Sequence, residues 1–148
     1  MALSGESTSE IDAPIDAVWA LIDEVRDAPE WQDGLLEMRE IEADADGRLV
    51  VGEFVNDAKV RKLVSRVRFT REAPHRLSWV QEKGDVKSVA GSWTLEDLGD
   101  GRTRATYAIE VDFGRILGRL ITGPLEAAVR PMLVGGRANE LKRLAERG

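Results

Sequence analysis

The chain offers few side chains for chemistry. It has one histidine, His75, and no cysteine. His75 stands in the stretch EAPHRLSW, next to a proline in a predicted turn. There it reads as an exposed loop residue and not as a general base. Serine–histidine–aspartate chemistry is disfavoured accordingly. Without cysteine there is no thiolate nucleophile and no disulfide, and one histidine leaves only carboxylates for a metal. No metal site and no cofactor are expected. The remaining polar candidates lie in or at the ends of predicted strands: Glu53, Arg61, Ser65, Gln81 and Asp112. A carboxylate buried among apolar walls has a raised pKa and can move protons. Asp112, at a strand end, reads instead as exposed to solvent. Arg61 shares alternation parity with Leu63, Val67 and Phe69, which predicts a guanidinium at the rim of an apolar face, placed to pair with an anionic head group.

The aromatic residues form the clearer pattern. The chain has four tryptophans, three phenylalanines and one tyrosine. In VRKLVSRVRFT the odd positions give Leu63, Ser65, Val67 and Phe69, and the even ones Lys62, Arg66 and Arg68. Leu77 and Trp79 share a face of RLSWVQE. Val89, Gly91, Trp93 and Leu95 share a face of VAGSWTLED, and Ala105, Tyr107, Ile109 and Val111 one of TRATYAIEV. Such alternation marks a sheet with one apolar side and one wet side. Trp31, Phe69, Trp79, Trp93 and Tyr107 are therefore the candidate walls of a concave, apolar site. An apolar face with few convergent polar groups suits binding better than catalysis.

These side chains need elements to position them. Glu6 to Ile11 predicts a short strand. DAPIDAVWALI predicts a helix start, with Pro14 at the first helical position and Asp12 and Asp16 near the positive end of the dipole. Val18, Leu21, Ile22 and Val25 recur at helical spacing, with Trp19 flanking them. Ala28-Pro29 ends this helix, and a second short helix or turn carries Trp31. Strands are predicted over about 35–43, 49–57, 60–70, 76–82, 86–97 and 102–112, with Asp-Gly hairpin turns in DADGR and LGDGR. The last third reads as helical. Ile116, Leu117, Leu120 and Ile121 form a short apolar segment. A long helix follows, with Pro124 at its first position. Leu125, Ala128, Val129, Met132, Gly136, Leu141 and Leu144 approximate its apolar stripe. Pro131 predicts a local bend, and Gly135-Gly136 an interruption. Leu117, Ile121, Leu125, Val129 and Met132 are the candidate contacts from this helical side. One apolar sheet face needs a cover, and the terminal helix is the long element available. The fold class is α+β: a curved antiparallel sheet wrapped around a C-terminal helix.

At 148 residues the chain predicts one domain over 1–148, large enough for a real core. No apolar run approaches the roughly twenty residues of a membrane span. The opening residues lack the basic head and apolar stretch of a signal peptide, and a cytoplasmic protein is expected. The net charge of −6 is unevenly spread. Residues 1–57 carry sixteen acids and three bases, and residues 58–80 carry seven bases and one acid. Such blocks either face each other in the fold or are solvated. The alternative is a basic face for an anionic partner. Overall acidity argues against general nucleic-acid binding. An exposed edge strand would allow a weak homodimer, although nothing specifies one.

Two stretches carry a family resemblance. IDAPIDAVWALIDEVRDAPEW, Ile11–Trp31, is similar to an opening of Ile-x-Ala-Pro, a Val-Trp helix and a Pro-x-Trp turn. GSWTLEDLGDGRTRATYAIEVD, Gly91–Asp112, resembles a penultimate hairpin of Gly-x-Trp/Tyr followed by Gly-Asp-Gly-Thr-x-Val-x-Tyr. Both are features of the START-like (SRPBCC) superfamily, in particular its bacterial polyketide cyclase/dehydrase-like and coenzyme Q-binding-like members. The likeness spans essentially the whole chain. It implies a helix-grip fold with a cavity between sheet and helix, closed at one end by the short helices. Trp31 would then line the mouth, and Trp19 would pack the first helix against the sheet. Superfamily members include lipid carriers, quinone binders, aromatase/cyclases and ribosome-associated factors, so the fold leaves function to the site. The expectation is a binder or carrier of a hydrophobic small molecule such as a lipid, quinone or polyketide. The alternatives are a polyketide aromatase/cyclase, and an interaction module that docks on a protein or ribosome through a basic face.

Overall fold

A computed structural model describes residues 2–58, 61–120, 127 and 136–147. Seven strands make up one antiparallel sheet: β1 (Ala2–Ile11), β2 (Leu35–Ala43), β3 (Leu49–Asp57), β4 (Lys62–Glu72), β5 (Arg76–Gly84), β6 (Ser88–Gly99) and β7 (Arg102–Asp112). Their order across the sheet is β1-β7-β6-β5-β4-β3-β2. Between β1 and β2 come helix α1 (Ile15–Asp23) and a 3-10 turn over Val25–Glu30. Helices α2 (Gly114–Leu120) and α3 (Arg137–Arg147) follow the sheet. This is a helix-grip architecture. The long helix expected to close the chain is described from Arg137 onward; Ile121, Leu125, Val129, Pro131, Met132 and Gly135 lie outside the described residues.

Local chemistry accounts for the elements. In the DADGR turn the Asp44 carboxylate accepts the N–H groups of Asp46 and Arg48 at 2.9 and 3.0 Å. Gly47 takes the left-handed φ of 82° that this turn requires. β1 begins at Ala2, four residues earlier than the sequence suggests, because Leu3 pairs with Val111 and is buried. Pro14 caps α1 from an extended backbone and stands just outside the first turn. The helix stops at Asp23, short of the expected Ala28-Pro29. Continued α-helix would drive the Pro29 ring into the carbonyl of Val25, and the chain passes into the tighter 3-10 turn instead.

Packing is one-sided. Inner positions of β4 to β7, with α1 and α3, form a buried cluster that includes Val18, Trp19, Val67, Leu77, Trp93, Leu95 and Leu141. α3 is pinned along β1. Ser9 Oγ donates to Asn139 Oδ1 at 2.5 Å, the Ala138 N–H to Ser7 Oγ at 3.2 Å, and Lys142 Nζ to the Glu10 carbonyl at 2.7 Å. The outer face carries cross-strand ion pairs: Arg66–Glu53 at 2.9 Å, Arg68–Glu82 at 2.9 Å and Arg104–Glu96 at 2.9 Å. The basic block of β4 is thus matched by acids on its neighbours. Each such surface pair is worth little in stability.

Candidate functional site

The concave side of the sheet encloses a cavity of about 90 Å³. Its walls carry a run of aromatic rings. Trp31 lies 6.1 Å from Trp93, Trp93 lies 4.9 Å from Tyr107, and Tyr107 lies 5.9 Å from Trp79. Trp79 continues to Phe69 at 6.2 Å, and Phe69 meets Phe54 edge-on at 6.0 Å. These spacings and tilts are those that aromatic pairs prefer. Six of the eight aromatic residues of the chain belong to this run. Each ring sits where strand alternation aims it inward. Trp31 differs, because it ends the 3-10 turn, donating its N–H to the Ala28 carbonyl at 3.2 Å, and stands half-buried at the mouth.

Polar groups gather at two places. Deep in the wall, Ser65 Oγ donates to Gln81 Oε1 at 2.8 Å, and Gln81 Nε2 donates to the Val86 carbonyl at 3.0 Å. At the mouth stands Arg137, only 4% exposed. Its Nη1 donates to the Asp33 carbonyl at 3.0 Å and to Glu140 Oε1 at 2.8 Å. The other oxygen of Glu140 accepts the Asp33 N–H at 2.7 Å. The guanidinium also sits over the Tyr107 ring, 5.8 Å from its centroid. Burial pushes the Tyr107 phenol above its ordinary pKa, against the opposing pull of Arg137. The hydroxyl therefore keeps its proton at neutral pH.

Trp31, Phe69, Trp79, Trp93 and Tyr107 all line the cavity. Arg61 does not, which corrects the sequence expectation. It precedes β4, so strand alternation no longer directs its side chain, and it lies exposed, 3.9 Å from Asp85. The side chain of Leu117 lies outside the described residues, as do Ile121, Leu125, Val129 and Met132. Of the other polar candidates, Ser65 and Gln81 meet as described. Glu53 turns to the outer face and pairs with Arg66. Asp112 accepts the Gly114 N–H at 2.9 Å, and this bond holds its carboxyl below the usual range. His75 is exposed in the β4–β5 turn. Among the described residues no group of three or more His, Asp or Glu side chains could hold a metal ion, and no helix is long and apolar enough to cross a membrane.

The sequence reading missed Arg137. It belongs to the stripe of Leu141 and Leu144, four and seven residues on, and that spacing would have placed a cation on the buried face. Met38 and Phe54 are also in the wall; Met38 was hidden because register shifts flank it in β2, and Phe54 because VVGEFV places apolar residues on both faces of β3.

Residues 2–148 match the family model described as polyketide cyclase/dehydrase and lipid transport. The chain belongs to that family, within the START-like superfamily. Solved structures share its fold. A START superfamily protein from Mycobacterium smegmatis is 15% identical, with 97% of each chain covered and a TM-score of 0.78. The Zhui aromatase/cyclase from Streptomyces sp. R1128 is 18% identical, with 99% of this chain and 95% of that one covered and a TM-score of 0.79. A protein from Thermus thermophilus is 17% identical, covering 98% and 96%, with a TM-score of 0.75. No curated protein matches the chain in sequence.

Proposed function

We propose that residues 1–148 form one ligand-binding domain that takes up a hydrophobic small molecule (a lipid, quinone or polyketide) between the sheet and the C-terminal helix. The observation that carries this reading is the continuous run of rings from Trp31 to Phe54 on the walls of one cavity. Trp31, Phe69, Trp79, Trp93 and Tyr107 make the principal contacts. An ordinary core would fill that space. Here about 90 Å³ is left open, ample for several water molecules but less than the roughly 150 Å³ of an engineered apolar cavity that admits benzene. A ligand of polyketide size therefore needs more room than this space gives.

Native mass spectrometry of the purified protein, followed by extraction of whatever co-purifies, tests the reading. A retained lipid, quinone or aromatic molecule is the expected result. A protein that is empty and also fails to bind apolar dyes would mean that the rings are simply core.

Aromatase/cyclase activity is a second reading. It draws on Tyr107, a protonated phenol beside a guanidinium among carbon walls, which could donate to a carbonyl oxygen during ring closure. Tyr107→Phe would then abolish turnover of a polyketide substrate while weakening its binding far less.

A further inference from the structure

The polar end of the cavity specifies more than apolarity. Arg137 is the one cationic side chain among the described residues that line the cavity, while Glu24 and Asp57 add acidic groups to the same wall. Its charge is already balanced by Glu140, itself mostly buried. A buried ion pair adds little to stability compared with apolar residues of the same size. Placed at the mouth, beside the only phenol of the chain, it presents N–H and O–H donors to whatever occupies the carbon-walled space. Resting on the binding reading above, we propose that Arg137 anchors the ligand through a neutral acceptor oxygen: the cavity prefers an apolar, planar molecule with a ketone- or quinone-type carbonyl at one end.

A carboxylate is the wrong partner. Arg137 and Glu140 together are neutral, so an anionic ligand would bring an unbalanced charge into a desolvated site. A carbonyl oxygen brings no net charge. It replaces the Asp33 carbonyl on Nη1, a like-for-like exchange of acceptors. Because that carbonyl belongs to the turn that follows Trp31, seating the ligand and releasing the mouth are one exchange.

The test is isothermal titration calorimetry with three probes of similar shape: 2-acetonaphthone, 2-isopropylnaphthalene and 2-naphthoate at pH 7. The native protein should bind the ketone about tenfold more tightly than the hydrocarbon, which displaces the Asp33 carbonyl and leaves Nη1 one acceptor short, the size expected of one hydrogen bond to a charged donor, and the carboxylate most weakly. Arg137→Gln combined with Glu140→Gln should lose the preference for the ketone over the hydrocarbon. Glu140→Gln alone removes the internal counter-charge and should move the preference toward 2-naphthoate. This single variant keeps the test decisive if the double variant fails to fold. Equal binding of ketone and hydrocarbon by the native protein would overturn the anchor and leave the apolar cavity standing. So would an unchanged preference order in the Glu140→Gln protein. No binding of any probe would overturn both readings.

Discussion

Gly91 and Trp79 face each other across the β5–β6 ladder, and the indole lies where a side chain at residue 91 would be. A Cβ built on Gly91 would stand 2.4 Å from Trp79 Cε2 and Cζ2. An indole has no flexible end to swing aside, and Trp79 is held between Tyr107 and Phe69. The Gly91→Ala variant gains about 0.4–1 kcal/mol from a less mobile unfolded chain and loses about 1–3 kcal/mol to overpacking. The second effect dominates. Calorimetry should show a lower Tm. A Tm equal to that of the native protein would mean that Trp79 is free to tilt away.

Arg71 ties α1 to the sheet. Its Nε donates to Asp23 Oδ1 at 2.6 Å, its Nη1 to the Leu49 carbonyl at 2.6 Å, and its Nη2 to the Asp23 carbonyl at 3.0 Å. The two side chains are 11% and 18% exposed. Removing one partner of a buried pair costs about 3–5 kcal/mol. Asp23 keeps Arg48 at 3.7 Å, so Arg71→Met should fall at about 3 kcal/mol in urea denaturation. Asp23→Asn in the same background should recover part of that loss. A cost under about 1 kcal/mol for Arg71→Met would show that the pair is effectively solvated.

Tyr107 predicts an alkaline limit. Its folded pKa is raised by burial, so the folded state holds the proton that the unfolded state releases. This contribution is fully present below the unfolded pKa of a tyrosine and is lost as pH rises toward the folded one. Stability should decline above about pH 10, and Tyr107→Phe should flatten that decline. The chain has one tyrosine, so the ultraviolet absorbance of phenolate reports this group alone. In the folded protein it should ionise at higher pH than a free phenol, and a free-phenol titration curve of the folded protein would refute the assignment.

Glu10 predicts the opposite limb. Arg104 and then Arg102 hold its carboxyl below the ordinary glutamate value. The stabilisation is present above that ordinary value and is lost as pH falls through the lowered one. The group is exposed, so the effect is small and screened by salt. Glu10→Gln should lower the urea midpoint at pH 7 in low salt, and the difference should vanish both in molar salt and in acid. A difference that persists in molar salt would point to packing instead of charge.

Fold and site were legible in the sequence to different depths. Alternation placed Phe69, Trp79, Trp93 and Tyr107 on one face, because a strand with one wet side leaves a period-two record that survives in a single chain. Hairpin turns built on Asp-Gly were equally plain. β1 was read short because ALSGES holds a single large apolar residue, Leu3, and so shows little apolar contrast, and only the pairing of Leu3 with Val111 reveals its start. Arg61 was misplaced because alternation was extended one residue beyond the strand that enforces it. Arg137 went unseen for a deeper reason: a cation on a buried face is recognisable only once Glu140 and the Asp33 turn, more than a hundred residues apart in sequence, are brought around it.

The order of the strands sets a timetable for synthesis. From β2 to β7 every neighbour in the sheet is also the next strand in the chain, and each hairpin can close as it is made. β1 alone pairs out of sequence, with β7. It is made before the other six strands and waits for β7, on the order of 100 residues later, which at roughly 5–20 residues per second is at least several seconds on the ribosome. During that interval Leu3 and Ile11 have no wall to join and the inner face of the meander has no edge. The earliest of these seven strands is thus among the last to fold, and α3, which docks on β1, must wait for both.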